Sequence, residues 1–220
     1  MVADFVPPCA CAADIGTDHG YLPVWLLQSG VIQSAIAADI HAGPLANARQ
    51  SAAAYDLEER FRFVQADGLQ FSGAQAADVI TIAGMGGETI CTILASAPWL
   101  RQGKRLVLQP QSKVPELADW LWHNGFTIED AALCRDAGKR YLALRVLGRV
   151  AAQSCTVEQL LLRHRDPLLP EHLKEEIRRQ KRARAGMVHA KQTPEAALAA
   201  LDARLSELET CLKEVQTWQS

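Results

Sequence analysis

Residues 13–23 read Ala13-Asp14-Ile15-Gly16-Thr17-Asp18-His19-Gly20-Tyr21-Leu22-Pro23, and this stretch decides the fold. Apolar residues 9–13 lead into it, and a helix-compatible segment, 22–28, follows it. A strand that ends in Asp-x-Gly and turns directly into a helix is typical of α/β sheets that bind a nucleoside. Glycine lets the backbone approach the ligand, and the helix N-terminus offers free N–H groups. The turn therefore predicts a ligand site at the end of the first strand.

Strands and helices alternate after this turn. We predict strands at 9–15, 34–40, 61–68, 78–83 and 105–110, helices at 21–29, 44–55, 88–97 and 114–123, and a final strand pair at 126–133 and 141–148. Such alternation is typical of a mostly parallel sheet covered by helices on both faces. We expect an α/β fold whose sheet has seven strands or nearly so.

The composition sets further limits. The chain has 220 residues, of which 49% are hydrophobic, and a net charge of −2, which does not suggest a general polyanion binder. Its six cysteines contain no C-x-x-C pair, and Cys9 and Cys11 alternate along a predicted strand, so we expect a buried, reduced pair and no metal site. The sequence shows neither a signal peptide nor a long apolar span, which predicts a cytoplasmic protein without membrane association.

Three predicted strands end in or near a carboxylate, at Asp14, Asp39 and Asp67. Ligands of such sheets bind beyond the carboxyl ends of the strands. Asp39 suits the ribose hydroxyls, and Asp67 suits the exocyclic amine of adenine. Asp14 and Gly16 would shape the pocket near the amino-acid end of a ligand. The alternative is that these acidic residues merely solvate turns.

The pattern of the turn selects among nucleoside ligands. The order D-x-G-x-D-x-G differs from the G-x-G-x-x-G of dinucleotide sites, and the carboxylate of Asp18 would repel a phosphate. S-adenosylmethionine fits better, because it has no phosphate and its sulfonium is cationic. The sequence therefore favours a site for this cofactor.

The glycine-rich segment Gly84-Met85-Gly86-Gly87 follows the fourth predicted strand. It exposes backbone beside the expected ligand, although a tight turn that needs positive φ angles is the alternative. The sequence has no evident Ser/His/Asp or Cys/His arrangement for nucleophilic catalysis. Methyl transfer from a sulfonium needs chiefly positioning, which suits such a site.

Three motifs carry a specific resemblance: ADIGTDHGYLP at 13–23, AGMGGETI at 83–90 and LVLQPQ at 106–111. Their order and spacing resemble the bacterial tRNA (adenine-22-N1)-methyltransferase family over nearly the whole chain. The resemblance implies a Rossmann-like class I methyltransferase domain, the cofactor S-adenosylmethionine, and tRNA methylated at N1 of an adenine.

The resemblance also implies site residues. The cofactor would contact Asp14, Gly16, Asp39, Ile40, Asp67, Gly68, Ala83, Gly84 and Met85. Three catalytic candidates, Asp18, His19 and Tyr21, would lie between the cofactor and the target base. A helix cap is the alternative for His19, and a core position is the alternative for Tyr21. Members of the resembled family usually have a further helix before the first strand, whereas this chain has only residues 1–8 there, so we expect either that the start is shortened or that this helix is lost.

The remaining residues form a helical tail. We place the methyltransferase domain at 1–152 and a coiled-coil-like helical domain at 153–220. A seam with 3-4-3-4-3 spacing predicts one helix of an antiparallel hairpin: Leu198, Leu201, Leu205, Leu208, Leu212 and Val215. Segment 171–188 supplies the other helix, and Gly186 and Thr193-Pro194 bracket the turn. Alternatively, the seam mediates dimerisation. We therefore expect the protein to be either a monomer or a weak dimer.

Segment 163–184 holds eight lysines and arginines against four acidic residues. We expect lysines and arginines of this segment, and three more near residue 140, to contact phosphates. The alternative is that they form a charged face exposed to solvent. The candidates are Arg135, Lys139, Arg140, Arg178, Arg179, Lys181, Arg182 and Arg184. Two other functions stay open: methylation of a different substrate, and non-catalytic binding of S-adenosylmethionine.

Overall fold

The computed structural model describes residues 1–151, 155–189 and 195–219. It divides the chain into two compact units, Met1–Cys155 and Thr156–Ser220. The domain boundary that we expected between residues 152 and 153 lies outside the described residues.

The first unit is built on seven strands. They are β1 (Cys9–Ile15), β2 (Ile32–Asp39), β3 (Phe61–Gln65), β4 (Val79–Gly86), β5 (Arg105–Ser112), β6 (Thr127–Asp136) and β7 (Lys139–Leu147). The helices of this unit are α1 (Val2–Phe5), α2 (Tyr21–Gln28), α3 (Ala42–Ala53), α4 (Gly87–Ala95) and α5 (Val114–His123). Short 3-10 turns lie at Glu58–Arg60, Ala74–Ala76 and Pro98–Arg101.

These strands form one sheet in the order β3-β2-β1-β4-β5-β7-β6. Strands β1 to β5 run parallel, and β7 is antiparallel to both of its neighbours. The chain order reverses at β1, which pairs with β2 on one side and β4 on the other. This arrangement confirms the predicted fold, a mostly parallel, Rossmann-like sheet of seven strands with a helical appendage.

Strand β4 is longer than the sequence suggested. The prediction ended it at residue 83, whereas it continues to Gly86 through pairs of Met85 with Pro110 and of Gly86 with Ser112. The cause is the neighbouring strand β5, which extends to Ser112 and supplies hydrogen-bond partners. The glycine-rich segment is therefore an irregular strand end and not a free turn.

A short helix precedes the first strand. Residues Val2–Phe5 form α1, and Val6, which is 4% exposed, belongs to the apolar core beside β1. The guanidinium carbon of Arg145 lies 5.7 Å from the centre of the Phe5 ring. A helix of four residues therefore precedes β1.

The second unit consists of helices. They are α6 (Val157–Arg163), α7 (Leu169–His189) and α8 (Glu195–Gln216), followed by a 3-10 turn at Thr217–Gln219. The sequence reading missed α6, although Thr156 and Gln159 form a capping box at its start. Gly186 lies within α7 and therefore does not bracket a turn. Helix interiors tolerate an exposed glycine at a cost of about 1 kcal/mol. Thr193-Pro194 lies outside the described residues.

Helices α7 and α8 are antiparallel neighbours. Lys181 pairs with Glu209, and Arg184, farther along α7, pairs with the earlier Asp202. The seam of α8 is buried or half-buried along its length, with Leu208 fully buried. Leu173 and Ile177 of α7 are buried as well. Six seam residues thus serve the core of this unit, as a hairpin requires.

The cysteines are free thiols, and Cys9 and Cys11 are half-exposed, not buried as expected. Partial burial, together with the nearby carboxylate of Asp78, raises the pKa of the Cys9 thiol from 9.0 to about 11. The sulfur of Cys9 also points towards the carbonyl of Cys11 at 3.7 Å.

Alkylation of Cys9 is expected to be slow. At a pH equal to the ordinary pKa of 9.0, only about 1% of this thiol is ionised in the folded protein against half in the unfolded chain, so iodoacetamide reacts about 50-fold more slowly. The unfolded state loses this proton first, so the contribution of Cys9 to stability falls between pH 9.0 and about 11. Mass spectrometry of the Cys11→Ser variant, with and without urea, measures the rate. A folded-state midpoint near 9 would contradict the expectation.

Candidate active site

The carboxyl ends of the parallel strands bring the predicted cofactor residues to one edge of the sheet. Asp14 lies in β1 opposite Ala37 and Thr81, and Gly16 follows that strand. The other residues lie at or just beyond the ends of β2, β3 and β4: Asp39, Ile40, Asp67, Gly68, Ala83, Gly84 and Met85. The chain reversal at β1 and β4 is the position where such sheets bind ligands.

Asp14 ties the two central strands together. Its carboxylate is 7% exposed and accepts a hydrogen bond from Oγ1 of Thr81 at 2.6 Å. Burial raises the pKa of Asp14, and the Thr81 hydrogen bond opposes that rise. Nearby, the hydroxyl of Thr17 is buried, and it also opposes the rise in the pKa of Asp14.

Gly16 lies close to the side chain of Met85 at this edge. Its φ of +72° is left-handed, and a β-carbon placed on it would lie 2.1 Å from Cε of Met85. Any larger residue would fill the space between the first turn and the end of β4. The two segments that the motifs predicted to border the cofactor therefore meet here.

The ends of β2 and β3 present groups suited to a nucleoside. Oδ1 of Asp39 accepts from the N–H of His41 at 2.9 Å, which fixes the carboxylate at the start of α3. The Ile40 side chain is 52% exposed, and Asp67 is exposed beyond β3. A carboxylate for the ribose, an apolar surface for the base and a second carboxylate for its amine match the chemistry of an adenosine.

Asp18, His19 and Tyr21 form a cluster on the first turn. The His19 and Tyr21 rings stack with centroids 5.2 Å apart and planes within 8°, and Nε2 of His19 lies 3.8 Å from Oδ1 of Asp18. Tyr21 is 68% exposed, so it is not a core residue, and Gly20 rather than His19 occupies the N-cap of α2. Both structural alternatives to a functional role are therefore excluded.

The backbone of this cluster is unusual. Asp18 adopts a φ of +49°, a left-handed conformation that aspartate and asparagine tolerate better than most residues. Its side chain is 70% exposed. The carboxylate therefore projects from a strained turn beside an exposed aromatic pair, as a ligand-binding group would.

The structure adds one buried polar residue that the sequence reading did not single out. Gln109 of β5 is 7% exposed, and its amide contacts Gly84 and Pro110. The available signal was a glutamine within the otherwise apolar stretch Leu106-Val107-Leu108-Gln109. Buried amides in strands carry a cost unless they are hydrogen-bonded, which marks them for attention.

The eight cationic candidates belong to two separate places. Arg135, Lys139 and Arg140 lie at the tip of the β6–β7 hairpin, where Arg135 faces Arg140 across the strands. On α7, three cations form ion pairs: Arg179 with Glu176, Lys181 with Glu209, and Arg184 with Asp202. Arg178 and Arg182 donate to backbone carbonyls one turn earlier in α7. Much of this charge is therefore shared with acidic side chains of the same unit.

The described residues contain neither a cluster suited to a metal ion nor a membrane-spanning helix. In residues 1–151, 155–189 and 195–219, no group of three or more His, Cys, Asp or Glu side chains is placed to hold a metal ion. No helix in that part of the chain is long and apolar enough to cross a membrane.

Comparison with known proteins identifies relatives. A family described as methyltransferase domain matches residues 1–144. The tRNA (adenine(22)-N(1))-methyltransferase of Bacillus subtilis is 36% identical over 144 residues, which span 65% of this chain and 60% of that enzyme. The crystal structure of the B. subtilis m1A22 tRNA methyltransferase superposes with a TM-score of 0.80 at 27% identity, covering 96% of this chain and 95% of that one.

A structure with a bound ligand is also similar. The Streptococcus pneumoniae protein Sp1610, in complex with S-adenosyl-L-methionine, superposes with a TM-score of 0.77 at 30% identity, and 96% of each chain is covered. The similarity thus extends over both units of the chain.

Proposed function

The chain belongs to the methyltransferase domain family, and on that premise we propose that it transfers a methyl group from S-adenosylmethionine to N1 of an adenine, position 22, in tRNA. The observation that carries this proposal is the exposed Asp18–His19–Tyr21 cluster on the same turn as Gly16. Its stacked rings and its carboxylate would lie beside the residues at the carboxyl ends of β1 to β4, which we call the cofactor edge. The B. subtilis and S. pneumoniae relatives support the substrate and the cofactor.

The residues of the cofactor edge fit S-adenosylmethionine. Asp39 would accept from the ribose hydroxyls, Ile40 would cover the adenine, and Asp67 would accept from its amine. Gly16 and Gly68 would leave room for the ligand, and Ala83, Gly84 and Met85 would border the methyl donor. Asp14 would hold β1 and β4 in place beneath it. When bound, this cofactor would supply a methyl group attached to a cationic sulfur. The neutral thioether that forms when the sulfur–methyl bond breaks is a good leaving group.

The Asp18 cluster would position the target base. His19 and Tyr21 offer a stacked, exposed surface for the adenine, and stacking on aromatic residues stabilises an extruded base by about 1–3 kcal/mol. N1 of adenine already carries a lone pair, so no general base is needed. The ring becomes positively charged when N1 gains the methyl group. The carboxylate of Asp18 stabilises that charge and accepts from the exocyclic amine.

Replacement of Asp39 tests the cofactor edge. Asp39→Asn keeps the acceptor for the His41 N–H but removes the charge that we assign to the ribose, so affinity for S-adenosylhomocysteine is expected to fall about tenfold. Calorimetry measures this affinity, and Asp119→Asn, an exposed change on α5, is the matched control. Equal affinities for the two variants would remove Asp39 from the cofactor site.

We assign tRNA phosphate contact to the cations of α7 and of the β6–β7 hairpin. Proteins read folded RNA largely through shape and backbone, which suits two separate basic surfaces. Arg178 and Arg182 are the strongest candidates on α7, because the contacts of their guanidinium groups are to backbone carbonyls. Arg179, Lys181 and Arg184 would share their charge between carboxylates and phosphates. The seam leucines serve the core of the second unit, which favours a monomer.

Salt dependence tests these contacts. For Arg178→Gln/Arg182→Gln, the slope of log affinity for tRNA against log salt is expected to decrease by about 1–2, because each phosphate contact contributes about 0.7–0.9 to it. Fluorescence titration at several salt concentrations gives the slope. Lys213→Gln on α8 is the control, and an unchanged slope in the double variant would place the tRNA elsewhere.

The decisive experiment for the function is transfer of labelled methyl groups to unfractionated bacterial tRNA. We expect 1-methyladenosine, mapped to position 22. Label in another nucleoside would reassign the target, and label in a protein or small molecule would favour a different substrate. Cofactor binding without any transfer would favour a non-catalytic protein.

A further inference from the structure

Gln109 is a buried amide in an apolar strand. Leu106, Val107 and Leu108 before it are fully buried, and Gln109 itself is 7% exposed. Its Oε1 accepts from the N–H of Gly84 at 3.1 Å, and its Nε2 donates to the carbonyl of Pro110 at 3.1 Å. Burial of an amide is unfavourable unless such bonds are made, so both contacts fix the side chain.

These contacts lie at an irregularity of the sheet. The register passes from the pair Ala83–Gln109 to the pair Met85–Pro110, so Gly84 is an extra residue on β4. Gly84 has a φ of +80°, as an extra residue in a bulge commonly does. The Gln109 side chain supplies the acceptor for the N–H of this extra residue.

The bulge determines where the next residue goes. Met85 follows Gly84, and its Cε lies against Gly16 in the first turn. Gln109, Gly84, Met85 and Gly16 therefore form a continuous series of contacts from β5 through β4 to the turn after β1. Strands β4 and β1 are neighbours at the chain reversal, so a shift of the bulge moves one wall of the cofactor edge against the other.

We propose that Gln109 is a positioning residue for the methyl donor: its amide holds the Gly84 bulge and so sets where Met85 lies over Gly16. This inference rests on the proposed function, because it assigns the donor to that edge. Gln109 does not itself touch the reacting atoms in this assignment. It acts through the backbone of Gly84.

The test uses Gln109→Met, which keeps the size of the side chain and removes both hydrogen bonds. Calorimetry with S-adenosylhomocysteine is expected to show about tenfold weaker binding, because one bound-state contact is misplaced. The kcat for tRNA methylation is expected to fall about tenfold, because small displacements at the reacting centre are costly. The KM for tRNA stays within about twofold, since the hydrogen bonds removed lie on the cofactor side.

Val107→Ala is the matched control. It creates a small cavity two residues earlier in β5, lowers the melting temperature by several degrees as a buried truncation does, and leaves the bulge intact. We expect cofactor affinity within about twofold of the unmodified protein for this variant. Equal cofactor affinity in Gln109→Met and Val107→Ala would show that Gln109 has only a structural role and would overturn the proposal.

The remaining outcomes also discriminate. If Gln109→Met does not fold, Gln109→Asn, whose shorter amide does not span the bulge, replaces it with the same expectations. If the unmodified protein binds S-adenosylhomocysteine but does not methylate tRNA, the proposed function fails, while the affinities of the variants still decide the role of Gln109. Unchanged affinity and unchanged kcat in the Asn variant would overturn the inference.

Discussion

Asp18→Asn is expected to lower kcat for tRNA methylation about 100-fold, which corresponds to about 2.7 kcal/mol of transition-state stabilisation. The reason is electrostatic, because the variant removes the negative charge that we propose faces the base as it becomes cationic. The melting temperature changes little, since the side chain is 70% exposed and asparagine accepts the left-handed backbone at this position. Single-turnover kinetics with excess enzyme separates this step from tRNA binding.

Asn is a sharper substitution here than Ala, which would add backbone strain at a φ of +49°. Asp56 supplies a matched control, because it is an exposed aspartate with a φ of +56° after α3. Asp56→Asn is expected to leave kcat within about twofold of the unmodified enzyme, as surface changes far from a site usually do. A single-turnover rate that is equal for Asp18→Asn and Asp56→Asn would show that Asp18 does not act on the base.

Arg204→Met is expected to destabilise the second unit by about 3 kcal/mol. Glu158 of α6 is buried, with 6% of its side chain exposed, and its Oε1 lies 2.6 Å from Nη2 of Arg204 on α8. Arg204 also contacts Glu207, and His172 of α7 lies 4.0 Å from the same Glu158 oxygen. The substitution leaves a buried carboxylate without its main partner. Hydrogen exchange of α6 and α8 measures the loss separately from the first unit.

A double-mutant cycle isolates the pair. Glu158→Gln/Arg204→Met is expected to be more stable than Arg204→Met alone, because it removes the unpaired charge. Arg184→Met breaks the exposed pair with Asp202 in the same unit, and its effect is expected to be much smaller because water screens that pair. Equal protection loss in Arg184→Met and Arg204→Met would contradict the importance of burial.

The sheet could be predicted well because its signals are local. Strands β1 to β4 each end near an acidic residue or a glycine-rich segment. Apolar runs of strand length alternate with segments of helix length. The edge that collects Asp14, Asp39, Asp67 and Gly84 follows from parallel topology alone. Sequence therefore sufficed for the fold class and for placing these residues at the carboxyl ends of the parallel strands, and their contact with a cofactor stays a prediction.

What could not be predicted depends on contacts between distant segments. The extension of β4 to Gly86 requires the partner strand β5, and the role of Gln109 requires the bulge that this pairing creates. The pairing of Arg184 with Asp202 depends on how α7 and α8 face each other, which no spacing within one helix reveals. No helix is predicted from the sequence at Val157–Arg163, although the capping box of Thr156 and Gln159 at the start of α6 was an available signal.

The link between Asp14 and Thr81 has a consequence for how the chain tolerates substitution. This hydrogen bond joins β1 and β4. Both strands contribute buried residues to the hydrophobic core, and both end at the edge where we propose that the cofactor binds. Substitution of Asp14 or Thr81 is therefore expected to affect folding and, under the proposed function, donor binding together. Asp18, His19 and Tyr21 are exposed and join no strands, so substitutions at these three positions are expected to alter acceptor binding with little effect on folding.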